Sequence, residues 1–272
     1  MIMTRCICAV RNILKEIHWF FSSQLGIDLT KAAMAAKGFF YYLKDLHQFR
    51  SQYCGVIAIK PCLSDRYAQS GHTDSEYFWQ DLIVARLIFE RNPRKHVDIG
   101  SRVDGFVAHI ASFREVEVFD VRPMSQNIPG IIYRQADLMS QNLIADASIS
   151  LHTDSISCLH AIEHFGLGRY GDPIDIRGPE KGLKNIAKML KAEGLLYLST
   201  PIGQERVEFN ANWIFDPRTI IGLCTSNGLR LESLITVGAH GVIEEVTLDD
   251  TALQLIAKQK YTLGIFIFKK IQ

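Results

Sequence analysis

The chain has 272 residues and a formal net charge of +1, because 30 basic residues nearly balance 29 acidic residues. This balance gives no electrostatic footprint for duplex nucleic acid. Hydrophobic residues make up 47% and charged residues 22% of the chain, which is ordinary for a globular protein with a full core. No run reaches the roughly 18 apolar residues of a membrane span, and charges interrupt the apolar runs near the N-terminus. We therefore expect a cytoplasmic protein without a signal peptide.

The six cysteines show no metal-ligand spacing. Cys6 and Cys8 are too close together for a zinc knuckle, and no second pair follows them. The other four cysteines are scattered along the chain. Reduced thiols are therefore the better interpretation.

Two helices are predicted ahead of the main domain. Residues 8–21 place their apolar side chains mostly along one stripe. Asp28 is a suitable N-cap for a second helix over residues 29–49. The aromatic and basic side chains of these helices leave two interpretations open. Their apolar faces pack on the main domain, or residues 8–49 contact a partner or the inner face of a membrane.

A third helix is predicted from Ser75 to Arg91, where Asn92 and Pro93 stop it. Its apolar side is predicted to carry Phe78, Leu82, Ala85 and Phe89. We place a helical extension at residues 1–72 and the catalytic domain at residues 73–272.

The stretch from Lys95 to Asp120 predicts one βαβ unit. A β-branched run ends in Asp98 and Gly100, and Gly105 opens an amphipathic helix over residues 106–113. A second strand over residues 116–119 then ends in Asp120. Ligands of open α/β sheets bind at the carboxyl ends of the strands, where an acid suits a ribose diol and a helix N-terminus offers free N–H groups. The stretch therefore predicts a nucleoside-binding site.

Strands and helices alternate over the rest of the chain, which predicts a mostly parallel sheet. The predicted strands cover residues 131–136, 155–159, 194–200, 229–237 and 262–269. The predicted helices cover residues 179–190, 218–227 and about 251–260. The last two strands are expected to form an antiparallel edge.

The residues at the predicted strand ends follow one order along the chain. They are Asp98 with Gly100, Asp120, Asp137 with Leu138, and the segment from His160 to His164. This order resembles that of the class I S-adenosylmethionine-dependent methyltransferases over about residues 78–272. The resemblance implies an α/β, Rossmann-like fold with a seven-stranded, mostly parallel sheet, an antiparallel C-terminal strand, and S-adenosylmethionine as cofactor.

The same resemblance implies roles for the strand ends. The first surrounds the methionine part of the cofactor, the second holds the ribose, the third holds the adenine, and the fourth faces the reacting methyl group. The cofactor is then expected to contact Asp98, Gly100, Ser101, Gly105, Asp120, Val121, Asp137, Leu138 and His160. The family's usual glycine two places after Gly100 is replaced by Arg102, so the loop is expected to run differently.

A narrower resemblance covers almost the whole chain. It rests on residues 26–29, 38–45, 163–175 and 209–213, and above all on Glu-His-Phe-Gly-Leu-Gly-Arg-Tyr-Gly-Asp-Pro-Ile-Asp at residues 163–175. These segments look like an uncharacterised methyltransferase-like family that is often encoded among polysaccharide biosynthesis genes. The resemblance suggests a glycan or nucleotide-sugar acceptor.

His160, Glu163 and His164 have the spacing of one face of a helical turn, and several functions remain open for them. The spacing resembles the metal motif of magnesium-dependent O-methyltransferases, and it also matches the inverted zinc-protease motif. A metal-free histidine base and a loop held by hydrogen bonds are the other two interpretations. Between a histidine base and a metal site, we favour the metal-free histidine base. The catalytic candidates are His160, Glu163, His164 and Asp172, with Asp175 as a further candidate.

An anionic or sugar acceptor is expected to meet Arg169, Tyr170 and Asn210, because guanidinium groups form bidentate bonds and aromatic rings stack. Two rival classes remain. A nicotinamide-dependent oxidoreductase would also use a βαβ unit with Asp120, although Arg102 stands where its second glycine belongs. A methyltransferase-like scaffold without cofactor would use the N-terminal helices to bind a partner. Formation of a homo-oligomer stays open.

Overall fold

The computed structural model describes residues 17–71, 73–141, 143 and 152–271. The predictions for Cys6, Cys8 and the first half of the first helix lie outside these residues. The chain divides into two compact units between residues 72 and 73. Cys54, Cys62, Cys158 and Cys224 form no disulfide. Within the described ranges, no helix combines the length and apolarity needed to cross a membrane.

The first unit is built around a long helix. Residues 17–24 are helical, and helix α1 follows at Leu29–Arg50. The predicted cap is confirmed, since an Asp28 carboxylate oxygen accepts a hydrogen bond from the Lys31 backbone N–H at 3.0 Å. Gly38 lies so close to the backbone of Leu63 that a Cβ there would collide with the Leu63 carbonyl oxygen. The later residues of this unit therefore pack directly on the helix.

The second unit begins with helix α2 at Glu76–Arg91, and Ser75, predicted as its first residue, is its N-cap. Of the four residues predicted on the apolar side of this helix, Ala85 alone is buried. Phe78, Leu82 and Phe89 are exposed, whereas the buried residues are Gln80, Val84, Ala85 and Ile88. The small and branched side chains fit against the sheet, and Gln80 is buried because its carbonyl oxygen accepts a hydrogen bond from the Ser199 hydroxyl. The inward side was therefore set by fit and by a polar partner.

In the part of the chain that the structure describes, ten strands form a large sheet and a separate hairpin. They are β1 (His96–Ile99), β2 (Val116–Asp120), β3 (Ile131–Gln135), β4 (Thr153–Leu159), β5 (Leu190–Ile202), β6 (Arg206–Glu208), β7 (Asn212–Ile214), β8 (Leu229–Val237), β9 (Ile243–Glu245) and β10 (Thr262–Lys270). Eight of them form a sheet in the order β3-β2-β1-β4-β5-β10-β8-β9, and β6 pairs with β7.

The strand directions confirm the predicted fold. Strands β1 to β5 pair in parallel, and β10 runs antiparallel to both β5 and β8. This is a Rossmann-like class I methyltransferase fold. The sheet has eight strands rather than the predicted seven, because the chain turns back after β8 and adds the short edge strand β9. The β6–β7 hairpin was also not predicted.

The remaining helices cover the two faces of the sheet. A five-residue π-helical turn at Val103–Val107 leads into the short helix α3 (Ala108–Ala111). Helices α4 (Gly178–Met189), α5 (Pro217–Thr225) and α6 (Asp250–Ala257) follow. Adjacent strand residues alternate between two apolar clusters, as Leu196 and Leu198 on one face and Tyr197 on the other illustrate. Burial of both faces leaves the carboxyl edge of the parallel strands as the place for a ligand.

Candidate functional site

One large cavity opens at the carboxyl edge of β1 to β4. Its volume is about 1320 Å³, and the described residues that line it belong to the second unit. The strand-end residues that line it are Gly100, Ser101, Asp120, Val121, Asp137, Leu138 and His160. Four predicted strand ends therefore meet around one space. Gly105, His164, Arg169, Tyr170 and Asp172 also line it, whereas Asp98, Glu163 and Asn210 do not.

The acid at the end of β1 is enclosed by the protein. Asp98 is fully buried, and its carboxylate accepts hydrogen bonds from the Ser101 backbone N–H at 3.0 Å, the Ser101 hydroxyl at 2.8 Å and the Ser157 hydroxyl at 2.5 Å. Burial raises the pKa of Asp98 to about 6, although these hydrogen bonds oppose the rise. Asp98 thus holds the loop after β1 in place from behind.

The loop after β1 departs from a regular glycine turn, as Arg102 led us to expect. Gly100 has a positive φ of 72°, and a Cβ at this position would lie 2.8 Å from the Cβ of Ala161. Only glycine suits both constraints. Beyond it, the Arg102 guanidinium pairs with Asp104 at 2.7 Å on the exposed side of the loop. Gly105 then interrupts the π-helical turn with φ −122° and ψ −113°.

The acid at the end of β2 is engaged by an arginine two residues later. Asp120 is 7% exposed and accepts hydrogen bonds from the Arg122 backbone N–H at 2.8 Å and from Arg122 Nε at 2.9 Å. The same guanidinium reaches the Gly100 carbonyl oxygen at 3.3 Å and lies 4.7 Å from the centre of the Tyr170 ring. Arg122 therefore spans the cavity between the loop after β1 and the loop after β4.

The third strand end combines an acid with an apolar side chain. One Asp137 carboxylate oxygen accepts a hydrogen bond from the Met139 backbone N–H at 2.8 Å. Leu138 is buried, and its carbonyl oxygen accepts a hydrogen bond from Asn185 of α4 at 2.8 Å. The pair is held firmly and offers both a polar and an apolar surface to the cavity.

A buried histidine and glutamate pair stands at the end of β4. His160 Nδ1 lies 2.7 Å from a carboxylate oxygen of Glu163, which is fully buried behind it. The Tyr77 ring covers the imidazole with its centroid 4.3 Å away. His160 Nε2 is buried without a hydrogen-bond partner, and Glu76 at 3.5 Å is too far for a good bond. Such an unpartnered nitrogen in a cavity wall points to a ligand.

The backbone of this segment is not the helical turn that the spacing predicted. His160 has a positive φ of 48°, and only Ile162–His164 forms a short 3₁₀ turn. Gly166 and Gly168, both with positive φ, lead the chain away after it. Among the described residues, no group of three or more His, Cys, Asp or Glu side chains is placed to bind a metal ion.

The two histidines have opposite electrostatic surroundings. Burial tends to lower the pKa of His160, but the charge and hydrogen bond of Glu163 together with the charges of Glu76 and Asp81 outweigh it, so the pKa is raised above its usual value. Burial lowers the pKa of His164, whose Nδ1 lies 2.8 Å from the Ala211 carbonyl oxygen and so carries the proton. His160 is thus the stronger base of the two.

The glycine-rich loop after β4 carries the predicted acceptor residues. Asp172 accepts hydrogen bonds from the backbone N–H groups of Gly166 and Gly168 at 3.1 and 3.3 Å. It therefore shapes the loop. Arg169 and Arg122 both lie against the Tyr170 ring, at 5.3 and 4.7 Å from its centroid.

Two further candidates from the sequence lie apart from the cavity lining. Asn210 is exposed in the turn of the β6–β7 hairpin. Asp175 pairs with Lys181 and accepts a hydrogen bond from the Arg177 backbone N–H at 2.9 Å. Neither residue lines the cavity, so neither is placed to contact a ligand there.

Sequence reasoning missed the part of the lining that α2 supplies. Tyr77, Gln80 and Asp81 all line the cavity, and burial raises the pKa of Asp81. Polar residues on the inward face of an amphipathic helix are a usable signal. The prediction instead relied on the large apolar residues of α2, most of which are exposed. Arg122 was also missed, although its place two residues after Asp120 is visible in the sequence.

A protein-family model described as "Caenorhabditis protein of unknown function, DUF268" matches residues 134–263. No curated protein matches the chain. Several solved structures resemble it at low sequence identity. The N-methyltransferase NodS from Bradyrhizobium japonicum in complex with S-adenosylhomocysteine is 14% identical, and the match covers 74% of this chain and 90% of that chain with a TM-score of 0.48.

Two other solved structures give similar values. The 1,6-didemethyltoxoflavin-N1-methyltransferase from Burkholderia thailandensis, with bound 1,6-didemethyltoxoflavin and S-adenosylhomocysteine, is 9% identical over 74% of this chain and 80% of that chain, with a TM-score of 0.48. A TehB-like S-adenosylmethionine-dependent methyltransferase from Corynebacterium glutamicum is 18% identical over 71% and 94%, with a TM-score of 0.45. At this level the likeness says nothing about the activity of this chain.

Proposed function

We propose that this protein is an S-adenosylmethionine-dependent methyltransferase that acts on a hydroxyl of a glycan or nucleotide-sugar acceptor. The observation that carries the proposal is the convergence of four strand ends on one cavity. Gly100 allows close approach of a ligand, Asp120 suits a ribose, and Leu138 offers an apolar wall to a base. At about 1320 Å³ the cavity exceeds the usual single-ligand range of roughly 300–1,000 Å³. It has room for a cofactor and an acceptor together.

The residues present fit an adenosyl cofactor, with one rearrangement. Both carboxylate oxygens of Asp120 are engaged by Arg122, so a ribose diol has to share or displace the guanidinium. Arg122 is 37% exposed and already rests partly on Tyr170. Its movement away from Asp120 therefore requires no change in the backbone or in the core.

When bound, the cofactor supplies an electrophilic methyl group on a sulfonium, and the chain supplies position and a base. His160 Nε2 makes no hydrogen bond to the described residues, although a Glu76 carboxylate oxygen lies 3.5 Å away, and it takes the proton of the acceptor hydroxyl. Glu163 keeps the other proton on Nδ1 and stabilises the imidazolium that forms. Arg169 and Tyr170 at the rim offer a cationic group and an aromatic face, which suits a sugar that carries an anionic group.

We expect S-adenosylhomocysteine to bind this protein with micromolar or better affinity and NAD to bind at least about 100-fold more weakly, a difference of about 2.7 kcal/mol. Both contain adenosine, but only NAD brings a pyrophosphate to the loop where Arg102 stands in place of a second glycine. Parallel calorimetric titrations of the full chain measure the two affinities. Stronger binding of NAD would favour an oxidoreductase, and binding of neither would favour a scaffold without cofactor.

A further inference from the structure

The cavity needs a carboxylate for the amino-acid end of the cofactor, and the acid at the end of β1 does not supply it. All three donors to Asp98 come from the protein, and Asp98 neither has exposed surface nor lines the cavity. An ammonium group inside a cavity is stable only beside an acceptor, above all an anion. The acid that meets this ammonium must therefore lie elsewhere.

Asp81 of α2 is the acid that faces the same end of the cavity. It lines the cavity together with Gly100, Ser101 and Gly105, and its Oδ2 would lie 3.2 Å from a Cβ placed on Gly105. Its Oδ1 accepts a hydrogen bond from Gln80 Nε2 at 2.9 Å. Within the described part of the chain, Oδ2 accepts no hydrogen bond, and Gln80 is the side-chain donor to Asp81.

The cationic side chains that act on Asp81 make no hydrogen bond or ion pair with it among the described residues. Arg102, the cation of the adjacent loop, makes a bidentate pair with Asp104 at 3.0 and 2.7 Å. His109 and His160 act on Asp81 only through space, and His160 is hydrogen-bonded to Glu163. Asp81 thus has a carboxylate oxygen directed at the cavity and no ion-pair partner among the described residues. A cationic ligand group is its natural complement.

We propose that Asp81 binds the α-ammonium group of the cofactor's amino-acid tail, the part of the ligand that the family resemblance assigns to the β1 strand end. This inference rests on the proposed function. It gives the two acids different roles. Asp98 holds the loop after β1 through hydrogen bonds inside the protein, and Asp81 contacts the ligand from α2. The cavity then recognises an amino-acid tail as well as an adenosine.

The test compares two ligands that differ only at this end. S-adenosylhomocysteine carries the ammonium and carboxylate groups, whereas 5′-methylthioadenosine has the same adenosine and sulfur but lacks both. We expect Asp81→Asn to weaken S-adenosylhomocysteine about 10- to 100-fold, as for lost hydrogen bonds to charged groups. The affinity for 5′-methylthioadenosine is expected to stay unchanged. Calorimetry of the full chain measures both.

Asp250→Asn is the matched control, because Asp250 is an exposed carboxylate in the first turn of α6 and does not line the cavity. It should leave both affinities unchanged, and the melting temperatures of the two variants should match the wild type. If Asp81→Asn weakens both ligands equally, or does not weaken S-adenosylhomocysteine, the proposed role of Asp81 is wrong. The proposed function of the protein is not affected by that result. If the wild type binds neither ligand, the proposed function fails and this inference fails with it.

Discussion

Replacing His160 with alanine is expected to slow methyl transfer by about 10²–10⁴-fold, the usual contribution of a general base. Affinity for S-adenosylhomocysteine should stay close to that of the wild type, because the imidazole acts on the acceptor proton. Single-turnover transfer of a radiolabelled methyl group to a glycan or nucleotide sugar measures the rate. His47→Ala is a suitable control, since His47 is exposed on α1 and far along the chain from the cavity. Full activity of His160→Ala would mean that the His160–Glu163 pair is structural.

The pH dependence of the same reaction tests the role of Glu163. The base must be neutral, so the rate is expected to rise with pH as His160 loses its proton. Glu163 raises the pKa of His160 against the opposing effect of burial, which places this limb above the usual histidine value of about 6.5. Glu163→Gln removes the negative charge and leaves the burial, so the limb should move to lower pH. A limb that does not move would show that Glu163 is not coupled to the base.

Replacing Asp120 with alanine is expected to weaken S-adenosylhomocysteine by about 1.5–3 kcal/mol, the range for hydrogen bonds to charged groups. The buried carboxylate at the end of β2 is the acceptor that we assign to the two ribose hydroxyls, once Arg122 shares it or moves away. Calorimetry measures the loss, and Asp250→Ala in the exposed first turn of α6 is the control. Unchanged affinity in a folded Asp120→Ala protein would place the ribose elsewhere.

The order of the strands and the residues at their ends could be predicted from the sequence. Buried parallel strands appear as short apolar runs, and the polar residues directly after them mark the ligand edge. Asp120, Asp137 and His160 were placed at neighbouring strand ends in this way, and all three line one cavity. The end of β1 was located as well, but the enclosure of Asp98 depends on Ser157 of β4, which lies 59 residues later in the chain.

The features that escaped prediction depend on tertiary partners. Gln80 faces inward because Ser199 of β5 donates a hydrogen bond to it, and no local pattern shows that pairing. With Gln80 on the inward side, α2 presents Asp81 to the cavity, and its large apolar residues Leu82 and Phe89 are exposed instead. Strands β6, β7 and β9 have three residues each. Such strands are too short for a periodic signal in the sequence.

A crystal structure of the full chain with S-adenosylhomocysteine tests the central claim most directly. We expect the adenine against Leu138, the ribose hydroxyls on the Asp120 carboxylate with Arg122 displaced, and the amino-acid tail beside Asp81. The sulfur should face His160 and leave space in front of Nε2 for an acceptor. A ligand bound outside this cavity, or bound with its ribose away from Asp120, would contradict the account.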